Sequence, residues 1–396
     1  MLLRPTREFQ QVSPAQIVVA NFPSQTFAVD LPQNQPIEWI DVIFNVTMSG
    51  TAITNARAGG LLNICKRLTV EFNDGVRGKR NVVNISGLAL LEYNMKVYNS
   101  LDPNTLLCLS DAIAGGHAAN QKYRICYRIP FAHPQITAEP LRSRFYLPAH
   151  LTSEQPRLTI VTGAAADMGT GGDTIAALSI EVVSKQRFIS ANQQAALQKE
   201  KGAGLRNGYF AQDLIETQYT LAASLTDSEQ RFAIPQPGQY TGIMVRQVAY
   251  AATVLTVYSD LSASTTPGTE TVWTLEQANQ TYAKFRWYQL WLEQAMAGFR
   301  QTAILVTSPD FLPTLASNTK YAVPSSIYLD FLAEGEGGEA DEFSSLLDCN
   351  IPSNQGIRME FVGRCTTVAG GNSYVGVVGH RILDDLRPWQ MGRLIG

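Results

Sequence analysis

The residues able to do chemistry are few and scattered. Val161-Thr-Gly163-Ala-Ala-Ala-Asp-Met-Gly169-Thr-Gly171-Gly172 sets glycines after an apolar run, the opening of a dinucleotide-binding turn. Such a turn needs closer glycines and a helix behind them, whose N-terminal N–H groups meet phosphate. Residues 175–188 instead read as a strand, and no Tyr-x-x-x-Lys pair occurs, so the segment reads as a surface hairpin loop. His117, His133, His150 and His380 never fall at metal-binding helical spacing. Gly371-Asn-Ser373-Tyr-Val375 lacks the closing glycine of a nucleophile elbow and reads as a turn into a strand. The acidic loop Glu334, Glu336, Glu339, Asp341 and Glu342 lacks the regular ligand spacing of a calcium loop. No catalytic, cofactor-binding or metal site is expected.

Cys65, Cys108, Cys126, Cys349 and Cys365 are odd in number and form no C-x-x-C pair. Cys126 and Cys365 sit in strand-like runs, so buried free thiols and a reducing folding compartment are expected. The N-terminal MLLRPTREFQQ has no apolar h-region, and no run of about 18 apolar residues occurs, so neither a signal peptide nor a membrane span is expected. Sequons at Asn45, Asn84 and Asn279 carry little weight without such a signal.

Charged residues make up 16% of the 396, against roughly 25% in ordinary domains. A surface short of charge suits a protein covered by partners, because interface cores are depleted in charge. The net charge of −3 argues against broad phosphate binding.

The elements around these residues are mostly strands. Ile37–Met48, Tyr123–Ile129, 156–161 and Ile175–Phe188 read as strands in the first half. In the second half, so do 214–223, 229–235, Val245–Tyr258, Thr302–Thr307, Tyr321–Leu332, 356–365 and 373–383. One order recurs. Residues 59–99 give a long strand Leu61–Phe72, a turn at Asn73-Asp74-Gly75, a strand Arg80–Ile85 and a helix with Leu88, Leu91, Met95 and Tyr98 at helical spacing. Residues 242–298 give a long strand and then a helix opened by the capping box Thr274/Gln277. Leu275, Ala278, Tyr282, Phe285, Leu292 and Met296 lie on that helix's buried face, and Gly298 is its C-cap. Trp287, Tyr288 and Trp291 wrap the rest of it.

Between the halves, Ser190/Gln193 opens a short helix that Gly202, Gly204 and Gly208 end. The expected division is an N-terminal arm 1–15, a first unit 16–189, a helical linker 190–208, a second unit 209–383 and a C-terminal arm 384–396. Each unit holds about eight strands and one inserted helix, which suits a jelly roll better than an immunoglobulin sandwich. The expected fold is all-β with inserted helices, two consecutive eight-stranded jelly rolls. Neither arm shows a buried period. Arg4, Arg7, Arg387 and Arg393 can fork onto carboxylates and Trp389 is an aromatic anchor, so these five are the expected inter-subunit contacts.

Two such halves joined by a helical linker resemble the double jelly-roll major capsid proteins of tailless icosahedral double-stranded DNA viruses, in particular the tectivirus type of bacteriophages. The resemblance rests on Leu62–Phe72, the Asn-Asp turn, the Ser86–Asn99 helix, Tyr127–Ala132 with its proline-rich sequel, and Pro156–Ile160. In the second half Tyr321–Leu332, Arg358–Val362 and Tyr374–Ile382 carry it. The short N-terminal arm departs from the family in having no amphipathic helix. The resemblance implies a homotrimer forming a pseudo-hexagonal capsomer, with neighbouring capsomers, penton and minor capsid proteins as partners. It further implies an internal membrane, assembly in the host cytoplasm, no sequence-specific nucleic acid and no catalysis. A trimeric host-binding spike or lectin-like β-protein is the alternative.

Overall fold

A computed structural model describes residues 4–12, 24–48, 55–56, 60–73, 78–97, 122–132, 142–152, 154–164, 167, 169–170, 175–192, 194–195, 209–234, 238–248, 272–277, 280–286, 326–331, 347–349, 358–367 and 373–383. In the first half the strands are β1 (Arg4–Val12), β2 (Thr26–Asp30), β3 (Ile37–Met48), β4 (Asn55–Ala56), β5 (Cys65–Asn73), β6 (Lys79–Ile85), β7 (Lys122–Pro130), β8 (Arg157–Thr162), β9 (Gly169–Thr170) and β10 (Ile175–Phe188), with helix α1 (Gly87–Val97) after β6. The second half has β11 (Gln212–Thr220), β12 (Ser228–Ala233), β13 (Gln239–Val248), β14 (Val272–Gln277), β15 (Gln280–Arg286), β16 (Ser326–Asp330), β17 (Leu347–Asp348), β18 (Glu360–Cys365) and β19 (Tyr374–Ile382).

The strands alternate because one face of each sheet is dry. In β3, Ile40, Val42, Phe44, Val46 and Met48 are buried, while Trp39, Asp41, Ile43, Asn45 and Thr47 between them are half-buried. Each apolar side chain taken out of water contributes roughly 1.5–3 kcal/mol, which fixes the register of a strand that a one-residue slip would invert.

The first half forms a four-stranded sheet in the order β1-β10-β3-β7. Facing it are β2, β8, β5 and β6, which continue into a larger sheet in the order β16-β13-β19-β11-β6-β5-β8-β2, with β17 on β13. The second half adds its own four-stranded sheet, β12-β18-β14-β15. Each half is therefore two sets of four strands whose order interleaves early and late strands, the wiring of a jelly roll. The two rolls share backbone: β6 and β11 pair in parallel, Leu214 opposite Val83 and Ile215 opposite Asn84. One apolar core spans the first roll and takes in Leu214, Met244, Tyr328 and Val378 from the second. The other, from Leu221 to Val377, is built from the second roll alone around Trp273 and Phe361.

Two expectations are corrected. Residues 1–15 carry no obvious strand period, yet Arg4–Val12 is β1, antiparallel to β10 from Arg4/Phe188 to Val12/Ile180. An edge strand pairs on one side only, so ladder hydrogen bonds can hold it without a strong apolar alternation. The first roll needs this strand to reach eight.

The helix expected from Thr274 opens instead as the hairpin β14–β15, with Trp273 opposite Phe285 and Thr274 opposite Lys284. Six residues with Trp273 and Leu275 buried fit period two as well as a helix turn. The partner strand β18, with Phe361 opposite Leu275, decides in favour of the sheet. The hairpin β14–β15 matches β5–β6 by position in their sheets. Residues 287–298, including Trp287, Tyr288, Trp291 and Gly298, lie outside the described residues. The strands at Ile37–Met48 and Ile175–Phe188 form with the expected bounds, and α1 forms within Ser86–Asn99.

Candidate functional site

Charged residues set at inward positions of apolar segments meet where the two rolls join. Arg246 lies in β13 within Ile243-Met-Val-Arg-Gln-Val248 and is fully buried. Its Nε donates to Glu92 Oε2 at 2.6 Å and its Nη2 to Glu92 Oε1 at 3.1 Å, a two-pronged pair with α1. Its Nη1 donates to Glu216 Oε1 of β11 at 3.3 Å. Burial opposes the charge on Arg246, but Glu92 foremost outweighs it and raises the pKa well above the ordinary arginine value. Lys96, also buried on α1, is pushed down to about 8 by burial despite Glu92.

Glu216 also holds the start of α1. Its Oε2 accepts from the Ser86 backbone N–H at 2.7 Å, while Ser86 Oγ accepts from the Ala89 N–H at 3.4 Å. In a capping box, the side chain that binds the N-cap N–H comes three residues later in the same helix. Alanine stands at that position here, and a carboxylate from the other roll replaces it.

A second chain of bonds runs beside the first. Gln212 Nε2 donates to Phe131 O at 2.7 Å and also to Phe145 O, which fixes its amide orientation. Gln212 Oε1 must then accept from His380 Nε2, 2.7 Å away. That leaves His380 Nδ1 as the acceptor of the Tyr93 hydroxyl at 3.3 Å. Burial lowers the His380 pKa to about 4, so the ring is neutral at pH 7. Next to it, Arg381 grips Asp213 through Nε at 2.9 Å and through Nη2, and Arg80 Nη1 approaches Asp213 at 3.7 Å. Tyr93 meets Tyr328 edge to face, centroids 5.9 Å apart. Gly242 makes room there, since a Cβ on it would lie 1.9 Å from the Tyr328 hydroxyl oxygen.

These groups bond chiefly to one another. Their chemistry is that of a rivet: Glu92–Arg246, Ser86–Glu216, Gln212 to Phe131 and Phe145, and Tyr93–His380 cross from one roll to the other, while Glu216–Arg246, Gln212–His380 and Asp213–Arg381 brace the second roll's side of the join. A small cleft of about 60 Å³ borders the seam, lined by Phe72, Arg80, Tyr146, Leu151, Tyr209 and Gln212 among others. Among the described residues, no group of three or more His, Cys, Asp or Glu could hold a metal ion, and no helix is long and apolar enough to cross a membrane.

The residues singled out in the sequence fall elsewhere. Arg4 and Arg7 are in β1, opposite Phe188 and Lys185, while Arg387, Trp389 and Arg393 lie outside the described residues. His117, His133, Cys108 and the acidic loop 333–342 also lie outside them. Gly163 follows β8 in a turn whose Asp167 Oδ2 accepts from the Ala164 N–H at 2.8 Å. Ser373 is buried and its carbonyl accepts from the Leu221 N–H just before β19. Cys65, Cys349 and Cys365 are buried free thiols and Cys126 is half-buried. Glu92, Glu216, Arg246 and Gln212 escaped notice in the sequence. The available signal was a charge inside an apolar run, as in Ala89-Leu-Leu-Glu-Tyr93.

The sheets and their shared seam define the class: a double jelly-roll protein, all-β with a helix inserted after β6. No protein-family model matches the sequence, and no curated protein matches it. Solved structures share the fold over nearly the whole chain. The major capsid protein of Sulfolobus turreted icosahedral virus is 14% identical, with a TM-score of 0.60 and 98% of each chain covered. The capsid of the virus PBCV-1 matches at 10% identity, a TM-score of 0.57 and coverage of 97% of this chain and 96% of that one. The Faustovirus major capsid protein matches at 10% identity and a TM-score of 0.54, covering 96% and 90%. At such identities the likeness is one of fold, and it spreads over viruses well beyond the bacteriophages.

Proposed function

We propose that this chain is the structural coat protein of an icosahedral virus, and that three copies form a six-lobed, pseudo-hexagonal capsomer. One observation carries the reading: two jelly rolls are fused by a continuous sheet, with a buried ion-pair seam across the join. A rigid two-lobed subunit is what a threefold tile of six similar lobes requires. The fold shared with three viral capsid proteins supports the same reading. So does the 16% charge content, which suits a surface largely covered by neighbours.

In this reading the first roll runs to residue 189, residues 190–208 link it to the second, and the second ends at 383. The C-terminal residues Arg387, Trp389 and Arg393 reach neighbouring capsomers, penton or minor capsid proteins. The protein acts without catalysis, in the virion, after assembly in the host cytoplasm. Sedimentation velocity on the purified protein tests the oligomer. A trimer burying several thousand Å², stable on dilution, is expected of an obligate assembly. A species that stays monomeric at every concentration contradicts it.

A further inference from the structure

We propose that strand β15 of one copy of this chain pairs in parallel with β1 of the next, repeating between copies the joint that β6 and β11 make within one. The inference deepens the assembly reading above and rests on it.

The two rolls have the same wiring. The first is built from the sets β1-β10-β3-β7 and β2-β8-β5-β6, the second from β11-β19-β13-β16 and β12-β18-β14-β15. Position by position, β1 matches β11 and β6 matches β15. Inside the chain the rolls meet where β6, which ends its set, pairs with β11, which begins its own. That joint occupies one edge of each roll. The equivalent edges are left at the far sides of the chain, β15 on the second roll and β1 on the first. Among the described residues, β15 pairs only with β14 and β1 only with β10. The outer side of such an edge strand is a template for a further strand, and main-chain hydrogen bonds then supply the affinity.

A contact of β15 with β1 of another copy is head-to-tail, and such contacts close into a ring when the rotation allows. Three chains bring six rolls, with three joints inside chains and three between them. Using one kind of joint throughout makes all six lobes meet their neighbours alike.

A second observation falls on the same two edges. Among the described residues, two large apolar side chains stay about half exposed, Phe188 at 47% and Tyr282 at 50%. Tyr282 lies in β15 itself. Phe188 ends β10 opposite Arg4, the first residue of β1. In the internal joint Val83 and Asn84, late in β6, face Leu214 and Ile215, early in β11. The same stagger sets the start of β1, and with it Phe188, beside the second half of β15, a few residues from Tyr282. The joint therefore covers both side chains. Charge contributes little, since β1 carries Arg4, Arg7 and Glu8 while β15 carries Lys284 and Arg286.

The test uses the full chain. Tyr282→p-benzoylphenylalanine, isotope-labelled and assembled together with unlabelled parent chain, is irradiated and the links are mapped by mass spectrometry. Links should join position 282 to residues 4–12, or to the Phe188 end of β10, of the other copy. Independently, Tyr282→Lys and Phe188→Lys change exposed side chains, and melting curves confirm that the variants fold. Each should weaken self-association by about tenfold or more in sedimentation velocity. Links from position 282 only to other segments, or only within its own copy, in an intact trimer overturn the joint and leave the trimer standing. Undiminished association of both Lys variants does the same. A parent that stays monomeric removes both the joint and the trimer.

Discussion

Glu92 and Arg246 lie 154 positions apart and form a two-pronged ion pair with both side chains at most 2% exposed. Glu92 belongs to the helix of the first roll and Arg246 to the third strand of the second. A charge pair taken out of water is costly unless its geometry is good, and here Glu216 and the Ser86 N–H complete it. The pair therefore sets which surfaces of the two rolls meet more than how strongly they adhere.

The first prediction follows from that pair. Glu92→Leu leaves Arg246 buried with only Glu216, and should cost about 3–5 kcal/mol of unfolding free energy. Replacing both, Glu92→Leu with Arg246→Met, should recover much of the loss. A double-mutant cycle by urea denaturation checks this; additive costs would show that the pair is not coupled.

The second concerns acid. His380 is neutral in the folded protein, with its pKa lowered from 6.5 to about 4 by burial. The unfolded chain therefore binds a proton first, and stability should be full above about pH 6.5. It should then fall between there and pH 4, by about 3 kcal/mol in all at 1.36 kcal/mol per unit. His380→Gln should flatten that part of the pH profile of unfolding. An unchanged slope would mean that other groups cause it.

The third concerns close approach. A Cβ at Gly363 would lie 2.4 Å from the ring of the fully buried Trp273. Gly363→Ala should destabilise the second roll by about 1–3 kcal/mol, the usual cost of overpacking. A matched change at the exposed Gln280 should cost less than about 0.5 kcal/mol in the same thermal unfolding assay.

The sequence made much of this architecture legible. Strands such as Ile37–Met48 and Ile175–Phe188 alternate over many residues, because one face packs on a core and the other does not. Arg4–Val12 did not show, because its Pro5-Thr-Arg-Glu8 run has no apolar side to read and its partner, Ile180–Phe188, lies far away in the chain. The β14–β15 hairpin was hidden for a related reason. Thr274, Leu275 and Gln277 satisfy a helix start locally, and only β18 selects the strand. The seam was hardest to see. Glu92, Glu216 and Arg246 look like isolated charges until the fold brings three distant segments together, and no local rule pairs them.

The fourth prediction concerns the C-terminal segment. β19 ends at Ile382, and the Leu383 N–H bonds to the Ala211 carbonyl at 2.8 Å, which ties the strand's exit to the second roll. Deleting residues 384–396 should leave the melting temperature of the purified trimer nearly unchanged while impairing shell formation. Equal assembly of the truncated protein would show that Arg387, Trp389 and Arg393 contact no neighbour. Loss of folding would show that the second core extends past residue 383.

The most direct measurement is negative-stain imaging of the purified protein. Two rolls per chain and three chains per particle predict six-lobed tiles with threefold symmetry, alone or packed into facets. Isolated two-lobed particles at every concentration, with no tile and no shell, would contradict the account.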